Sequence, residues 1–318
     1  MEIKQGTIAF PAIFGSGPQI VEQVLNYDAP TGSIIVLISG FNAQYGEDAY
    51  NFHDLEIDVK AKKISPYAIE ISGTLGLRTS GGGGSYDNKY FGSIRYAILT
   101  IPSIEGFLSG TFDFPTRRSV TPPEQESVRF PIAIQQGVGV LTGFRAKFAE
   151  GGEFDFSYLI VDLDTRQPTP NDLSISGTLG VRDVGDFDDP FDGYINYAAL
   201  GSPLNSKSGL FIRTNRLDFD IAQNTGEPIQ RTDKITFPYP IGNCVAVLTG
   251  FTLEYEGEDK AVHQYIVEVE ARKLSQTEIE VIGTIGLRDN DQQFMAPFEG
   301  SLRYAVLAYR FNTQASNQ

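Results

Sequence analysis

Gly73-Thr74-Leu75-Gly76-Leu77-Arg78 decides how this chain is built, because it returns as Gly177-Thr178-Leu179-Gly180-Val181-Arg182 and again as Gly283-Thr284-Ile285-Gly286-Leu287-Arg288. Solenoids and propellers repeat every 20 to 50 residues or so. Here the copies stand 104 and then 106 residues apart, so each repeat is the size of a domain. The chain divides into residues 1–102, 103–204 and 205–318. Within the stretch the pattern has period two: Ile69, Ile71, Gly73, Leu75 and Leu77 share one face, and Glu70, Ser72, Thr74, Gly76 and Arg78 the other. That is a half-buried strand. Glycine weakens a strand interior, so two in every copy point to a close approach by another backbone.

Other signatures keep the same order in each repeat. An opening strand carries Gly6-Thr7, then Gly110-Thr111, with Gly209-Leu210 as the weaker third copy. Val36-Leu37-Ile38-Ser39-Gly40-Phe41 matches Val140-Leu141-Thr142-Gly143-Phe144 and Val247-Leu248-Thr249-Gly250-Phe251. An acidic turn follows each Gly-Phe, then an alternating strand (Leu55, Ile57, Val59; Leu159, Val161, Leu163; Tyr265, Val267, Val269). A short turn leads into the Gly-Thr strand, which makes an antiparallel hairpin. The closing strand reads Gly92-Ser93-Ile94-Arg95-Tyr96-Ala97, Gly193-Tyr194-Ile195-Asn196-Tyr197-Ala198 and Gly300-Ser301-Leu302-Arg303-Tyr304-Ala305. It is apolar on both faces, hence covered on both sides. The expectation is an all-β chain: three tandem antiparallel β-sandwich modules of about six strands each.

The net charge of −15 excludes nucleic acid and an anionic membrane as main partners, since both need a basic face. No run of about 18 apolar residues is present, so no membrane insertion is expected. The N-terminus lacks the basic and apolar regions of a signal peptide. A soluble protein made in the cytoplasm is expected, with action outside the cell or in a particle left open. The single cysteine, Cys244, excludes a disulfide framework and is expected to be buried and unreactive.

The succession of a Gly-Phe strand end, polar turn, alternating strand, short turn, strand ending near an Asp and closing aromatic strand resembles the H-type lectin domain. The resemblance covers most of each repeat. It implies a six-stranded antiparallel β-sandwich that associates as a trimer and binds galactose-type sugars where subunits meet. For one chain with three copies it implies a pseudo-trimer. The chain has no tryptophan, whereas relatives often carry one near the Asp-bearing loop and another in the closing strand.

Candidate ligand residues follow the third signature. Arg78, Arg182 and Arg288 end the same strand, and a guanidinium offers a planar fork of donors to hydroxyls or carboxylates. Asp183 and Asp186 stand beside Arg182, Asp289 and Asp291 beside Arg288, and adjacent donors and acceptors can grip a pair of hydroxyls. The first repeat has Thr79 and a glycine run there, with Tyr86 beyond. Tyr86, Phe187, Phe191 and Phe294 are expected to be exposed for stacking on sugar. The acidic loops match no spaced calcium loop, so neither metal nor cofactor is expected. His53 and His263 each lie 13 residues after their Gly-Phe glycine, with Ser157 in that column of the second repeat. They form no triad, and no G-x-S-x-G, HExxH, P-loop or Rossmann fingerprint is present, so no catalytic residue is assigned. Two functions stand open. A lectin-like, carbohydrate-binding protein would use the repeat junctions for a glycan. A structural module of a viral tail, a homo-oligomer or another large assembly would use the same surfaces for a protein partner.

Overall fold

The computed structural model describes residues 2–14, 17–46, 50–79, 89–101, 107–149, 154–183, 185, 187, 189–204, 210–222, 226–256, 260–289, 294 and 296–310. Every regular element among them is a strand. The first repeat holds β1 (Glu2–Ile13), β2 (Gln19–Asn26), β3 (Ser33–Tyr45), β4 (Phe52–Ser65), β5 (Ala68–Thr79) and β6 (Tyr90–Ile101). The second holds β7 (Phe107–Arg117), β8 (Glu124–Arg129), β9 (Ile134–Phe148), β10 (Tyr158–Arg166), β11 (Asp172–Arg182) and β12 (Phe191–Pro203). The third holds β13 (Leu210–Ala222), β14 (Ile229–Thr236), β15 (Ile241–Tyr255), β16 (Gln264–Lys273), β17 (Glu278–Arg288) and β18 (Phe298–Arg310). The Gly-Thr strands β5, β11 and β17 bury alternate residues, as their period-two pattern requires.

Three six-stranded sheets result, and none belongs to one repeat. Their orders are β1-β6-β3-β16-β17-β14, β13-β18-β15-β10-β11-β8 and β2-β5-β4-β9-β12-β7. Each takes three strands from one repeat and three from another, so the pairings run in a cycle: first with third, third with second, second with first. At each seam the Gly-Phe strand of one repeat pairs antiparallel with the alternating strand of the next. Phe41 sits opposite Val267, Phe144 opposite Ile57 and Phe251 opposite Val161.

These seams explain the Gly-Phe signature. A Cβ on Gly40 would lie 2.8 Å from both Glu268 Cα and Val267 O, and one on Gly143 or Gly250 would collide with Asp58 or Asp162 across the seam. Only glycine lets the neighbouring strand in this close. The following phenylalanines meet one another: Phe41–Phe144, Phe41–Phe251 and Phe144–Phe251 have ring centroids 5.6, 5.5 and 5.4 Å apart. Edge-on and tilted packing at such distances adds to what area burial alone provides.

The mid-strand glycines of the Gly-Thr strands have a different reason from the one expected. Gly73 is met by the side chains of Ile8 and Phe10, Gly177 by Phe112, and Gly283 by Leu217 and Leu302. Side chains of the opening strand, joined at Gly283 by one from the closing strand, fill the space, not another backbone. The opening glycines are explained too. Gly6 and Gly110 lie under the hydroxyl ends of Tyr96 and Tyr197, where a Cβ would overlap the phenol. In the third repeat the residue opposite the corresponding Tyr304 is Asn215. Asn215, rather than Gly209, is therefore the counterpart of Gly6, and Gly209 lies outside the described residues.

Two apolar cores form. The larger runs through all three repeats and includes the Gly-Phe rings. The smaller takes Ile35, Leu37, Ala97 and Leu99 from the first repeat, Val138, Val140, Ala198 and Leu200 from the second, and Val245, Val247, Ala305 and Leu307 from the third. The closing strands thus bury one face in each core, as their two-sided apolar pattern requires.

Because the obstacle at Gly40 is backbone, it cannot swing aside as a flexible side chain would. Gly40→Ala should cost about 1–3 kcal/mol in urea denaturation, as overpacking does. Gly17→Ala, where nothing lies within 4 Å, should leave the unfolding curve in place.

Candidate functional site

The three recurrent arginines end β5, β11 and β17, each one strand inward from a seam, and their surroundings differ. Arg182 donates to Glu254 Oε1 across the seam between second and third repeats at 2.7 Å, and to Ser157 Oγ at 3.4 Å. Its guanidinium lies over Tyr158 and Phe187, 5.1 and 5.6 Å from the ring centroids. Asp183 is half-buried beside it. Arg288 stands where its carbonyl accepts the amide of His263 at 2.6 Å, and burial pushes its guanidinium below the ordinary range. Asp289 is buried. Arg78 Nε lies 3.9 Å from Asp54 Oδ2. Asp186, Asp291 and Tyr86 lie outside the described residues.

The loop aromatics depart from expectation. Phe191 and Phe294 are buried and Phe187 is half-buried. Phe187 packs between Tyr158 and Phe191, and Phe294 packs on Phe298 and over Gly286. Each fills the space above a side-chain-free glycine or beside a ring, so the described part of these loops folds inward. Cys244 also departs: it is half-exposed and lines a cavity of about 360 Å³ with Gln5 and Lys273. The cause is position, since β15 breaks register between Ile241 and Cys244 and the buried run starts only at Val245.

The seam between first and second repeats holds a cluster of charges. Asp54 has no exposed surface and receives Arg145 through two nitrogens, Nε at 3.0 and 3.2 Å from its two oxygens and Nη2 at 2.5 Å. Lys147 pairs with Asp192 at 3.1 Å, and Tyr194 donates to Glu56 at 2.9 Å. His53 is buried against this cluster, and burial, then Arg78, pull its imidazole below the usual value. At the mouth of the seam between third and first repeats neutral groups stand in these places instead. Gln264 donates to Asn42 at 2.8 Å, and the Gln44 amide and His263 Nε2 are 2.9 Å apart. The His53, Ser157, His263 column therefore marks equivalent seam mouths with unlike chemistry.

A second column, in the closing strands, binds across the seams and was not singled out by sequence reasoning. Arg95 reaches Glu268 and Glu270 at 3.1 and 3.0 Å, and Arg303 reaches Asp162 and Asp164 at 2.6 and 3.0 Å. Asn196 replaces arginine in the second repeat and donates to Asp58 at 3.3 Å. Burial works against the charge of Arg303, but its two carboxylates outweigh it and raise its affinity for the proton. Burial likewise pushes Asp162 up, with Arg303 opposing.

Beside Arg303 the seam between second and third repeats opens into a cavity of about 380 Å³. Its walls are Asp164 and Thr165 of β10, Thr214, Asn215 and Arg216 of β13, Thr249 of β15 and Arg303 of β18, with Gly137, Val138 and Leu163 as the apolar part. Asn215 donates to Asp233 at 2.7 Å, and Arg216 pairs with Asp218 at 2.5 Å along its own strand. The signal in the sequence was the break in a signature: Gly6-Thr7 and Gly110-Thr111 become Asn215-Arg216. Where a local pattern lapses in one copy, a site-specific demand is the usual reason.

Among the described residues no group of three or more His, Cys, Asp or Glu is placed to hold a metal ion, and no helix is long and apolar enough to cross a membrane. No protein-family model, curated protein or solved structure matches the chain.

Folded His53 binds its proton less readily than the unfolded chain, whose imidazole titrates near 6.5. The stability it contributes is complete above pH 6.5 and is lost as pH falls toward the depressed folded value. The melting temperature should therefore drop between pH 6.5 and the carboxylate range, and His53→Gln should flatten that drop.

Proposed function

We propose that the chain is a non-enzymatic, lectin-like binding protein whose three tandem β-sandwiches, residues 1–102, 103–204 and 205–318, close about a pseudo-threefold axis as a covalent trimer. The cyclic sheet pairing and the mutual contact of Phe41, Phe144 and Phe251 support the closed arrangement. Both histidines of the chain sit buried at seam mouths, His263 beside Gln44 and His53 beside a charge network, which supports a non-catalytic role.

The ligand is a glycan held in the cavity between the second and third repeats. The observation that carries this reading is the mixture of groups there: Arg216, Arg303 and Asn215 donate, Asp164 accepts, and three threonine hydroxyls do both. A sugar hydroxyl donates and accepts at once, so alternating partners fit a neutral polyol better than a fully charged lining would. The first and second repeats carry Gly-Thr in place of Asn215-Arg216, which leaves one such site per chain.

The alternative, a component of a larger assembly, has its own observation. Phe14, Ile20 and Val24 are at least half exposed. By register, Gln230 and Lys234 stand in place of Ile20 and Val24 in the third repeat, and Pro123 and Ser127 in the second. Among the described residues only the first repeat presents an apolar edge at these positions to a protein partner.

The test combines a broad glycan screen of the purified protein with a double variant, Asn215→Gly and Arg216→Thr, that restores the Gly-Thr pair. The variant should melt like the parent and lose at least tenfold in affinity for any screen hit. Unchanged binding would remove the cavity from consideration, a screen without hits would favour assembly, and an elongated, bead-like particle in small-angle scattering would refute the closed arrangement.

A further inference from the structure

Two phenols of the third repeat are buried, and among the described residues no protein group satisfies them. Tyr265 has no exposed surface and Tyr255 is 2 % exposed, and among the described residues neither hydroxyl finds a hydrogen-bond partner. A buried hydroxyl left without one costs stability, and in folded proteins such groups are met by protein or by ordered water.

The two rings share one neighbourhood. Phe156 contacts both, its centroid 6.1 Å from Tyr255 and 5.3 Å from Tyr265, and Phe52 lies 6.1 Å from Tyr265. Across the seam between third and first repeats Tyr265 pairs with Ala43, and Tyr45 follows two residues on, on the same face. Diagonal neighbours of that kind are within reach of aromatic side chains. The phenols of Tyr45 and Tyr255 add to burial in holding the Tyr265 proton on. Ala43 stands opposite Tyr265, where the counterpart pair at the next seam is Leu253–Leu159.

We propose that the hydroxyls of Tyr255 and Tyr265, on the packed strands β15 and β16, bind one internal water molecule within the third repeat. Phenols that keep their protons can each donate to and accept from it, and a water needs two to four such partners. Asp289 lies near enough to act on Tyr255. Its carboxylate disfavours an anion in that place, and the surrounding phenyl rings disfavour a dehydrated cation. Both phenols belong to the third repeat, so the water is a polar pin between its strands β15 and β16. The equivalent positions are Tyr45 and Leu55 in the first repeat and Phe148 and Leu159 in the second, so neither of them pairs two phenols there.

Phenylalanine keeps the ring and removes the hydroxyl, so the variants fold and the sign of their effect is informative. If water satisfies both groups, Tyr255→Phe and Tyr265→Phe should each lower the melting temperature by about 1–3 °C. A rise in either variant would mean a dry, unsatisfied hydroxyl and would overturn the proposal. A crystal of the parent protein should show one density peak within hydrogen-bonding reach of both oxygens. An anomalous bromide peak at that place after a sodium bromide soak would assign the site to a halide and overturn it as well.

Discussion

Everything in this molecule depends on one close approach, the passage of an alternating strand past the glycine of a Gly-Phe pair. At Gly40, Gly143 and Gly250 the absence of a Cβ lets the neighbouring repeat complete its ladder. Without that contact each repeat would end in two open three-stranded sheets, with unpaired amides and carbonyls along β3, β9 and β15 and along β4, β10 and β16. Such edges recruit other chains. The seam converts them into interior hydrogen bonds and places the next residue, a phenylalanine, where it meets its two counterparts. Backbone pairing and apolar packing are therefore set by two adjacent positions.

The polar groups then distinguish seams that the backbone makes alike. One seam is closed by Arg145 on a fully buried carboxylate, one by Arg182 and Arg303 on acids that keep some solvent, and one by amides with an imidazole beside Arg95 on two glutamates. A buried carboxylate needs its partner far more than an exposed one does, so Asp54 depends on Arg145 in a way that Asp164 does not depend on Arg303. Unlike seams also make wrong pairings unfavourable, because the strand that satisfies Asp54 would bring Arg145 and Lys147, not amides, to Gln264.

Local pattern made much of this readable. The period-two burial of the Gly-Thr strands, the hairpins and the two-sided closing strands follow from which residues alternate, and alternation is visible in a single sequence. The histidine column was visible by spacing. Pairing between repeats was not, because nothing in residues 264–268 says that their partner is 220 residues away. The reason for Gly73 was misjudged on the same ground: a gap can be filled by a ring or by a backbone, and only the packed structure distinguishes them. Arg95 and Arg303 recur as plainly as Arg78 does. They went unremarked because their partners lie on another repeat, and Asn215-Arg216 read as a weak copy when it was a substitution.

The pairing of β3 with β16 also bears on how the chain is made. Ribosomal synthesis proceeds from the N-terminus at roughly 5–20 residues per second, and domains fold as they emerge. The second repeat can complete the sheet that holds β4 soon after it appears. The edge of β3 has no partner until residues near Glu268 leave the ribosome, so it stays open for roughly ten seconds or more while over 200 further residues are added. Contacts this distant in sequence slow folding. The interval makes β3 the part of the nascent chain most exposed to pairing with the β16 of a neighbour on the same message, which would give exchanged dimers instead of closed monomers.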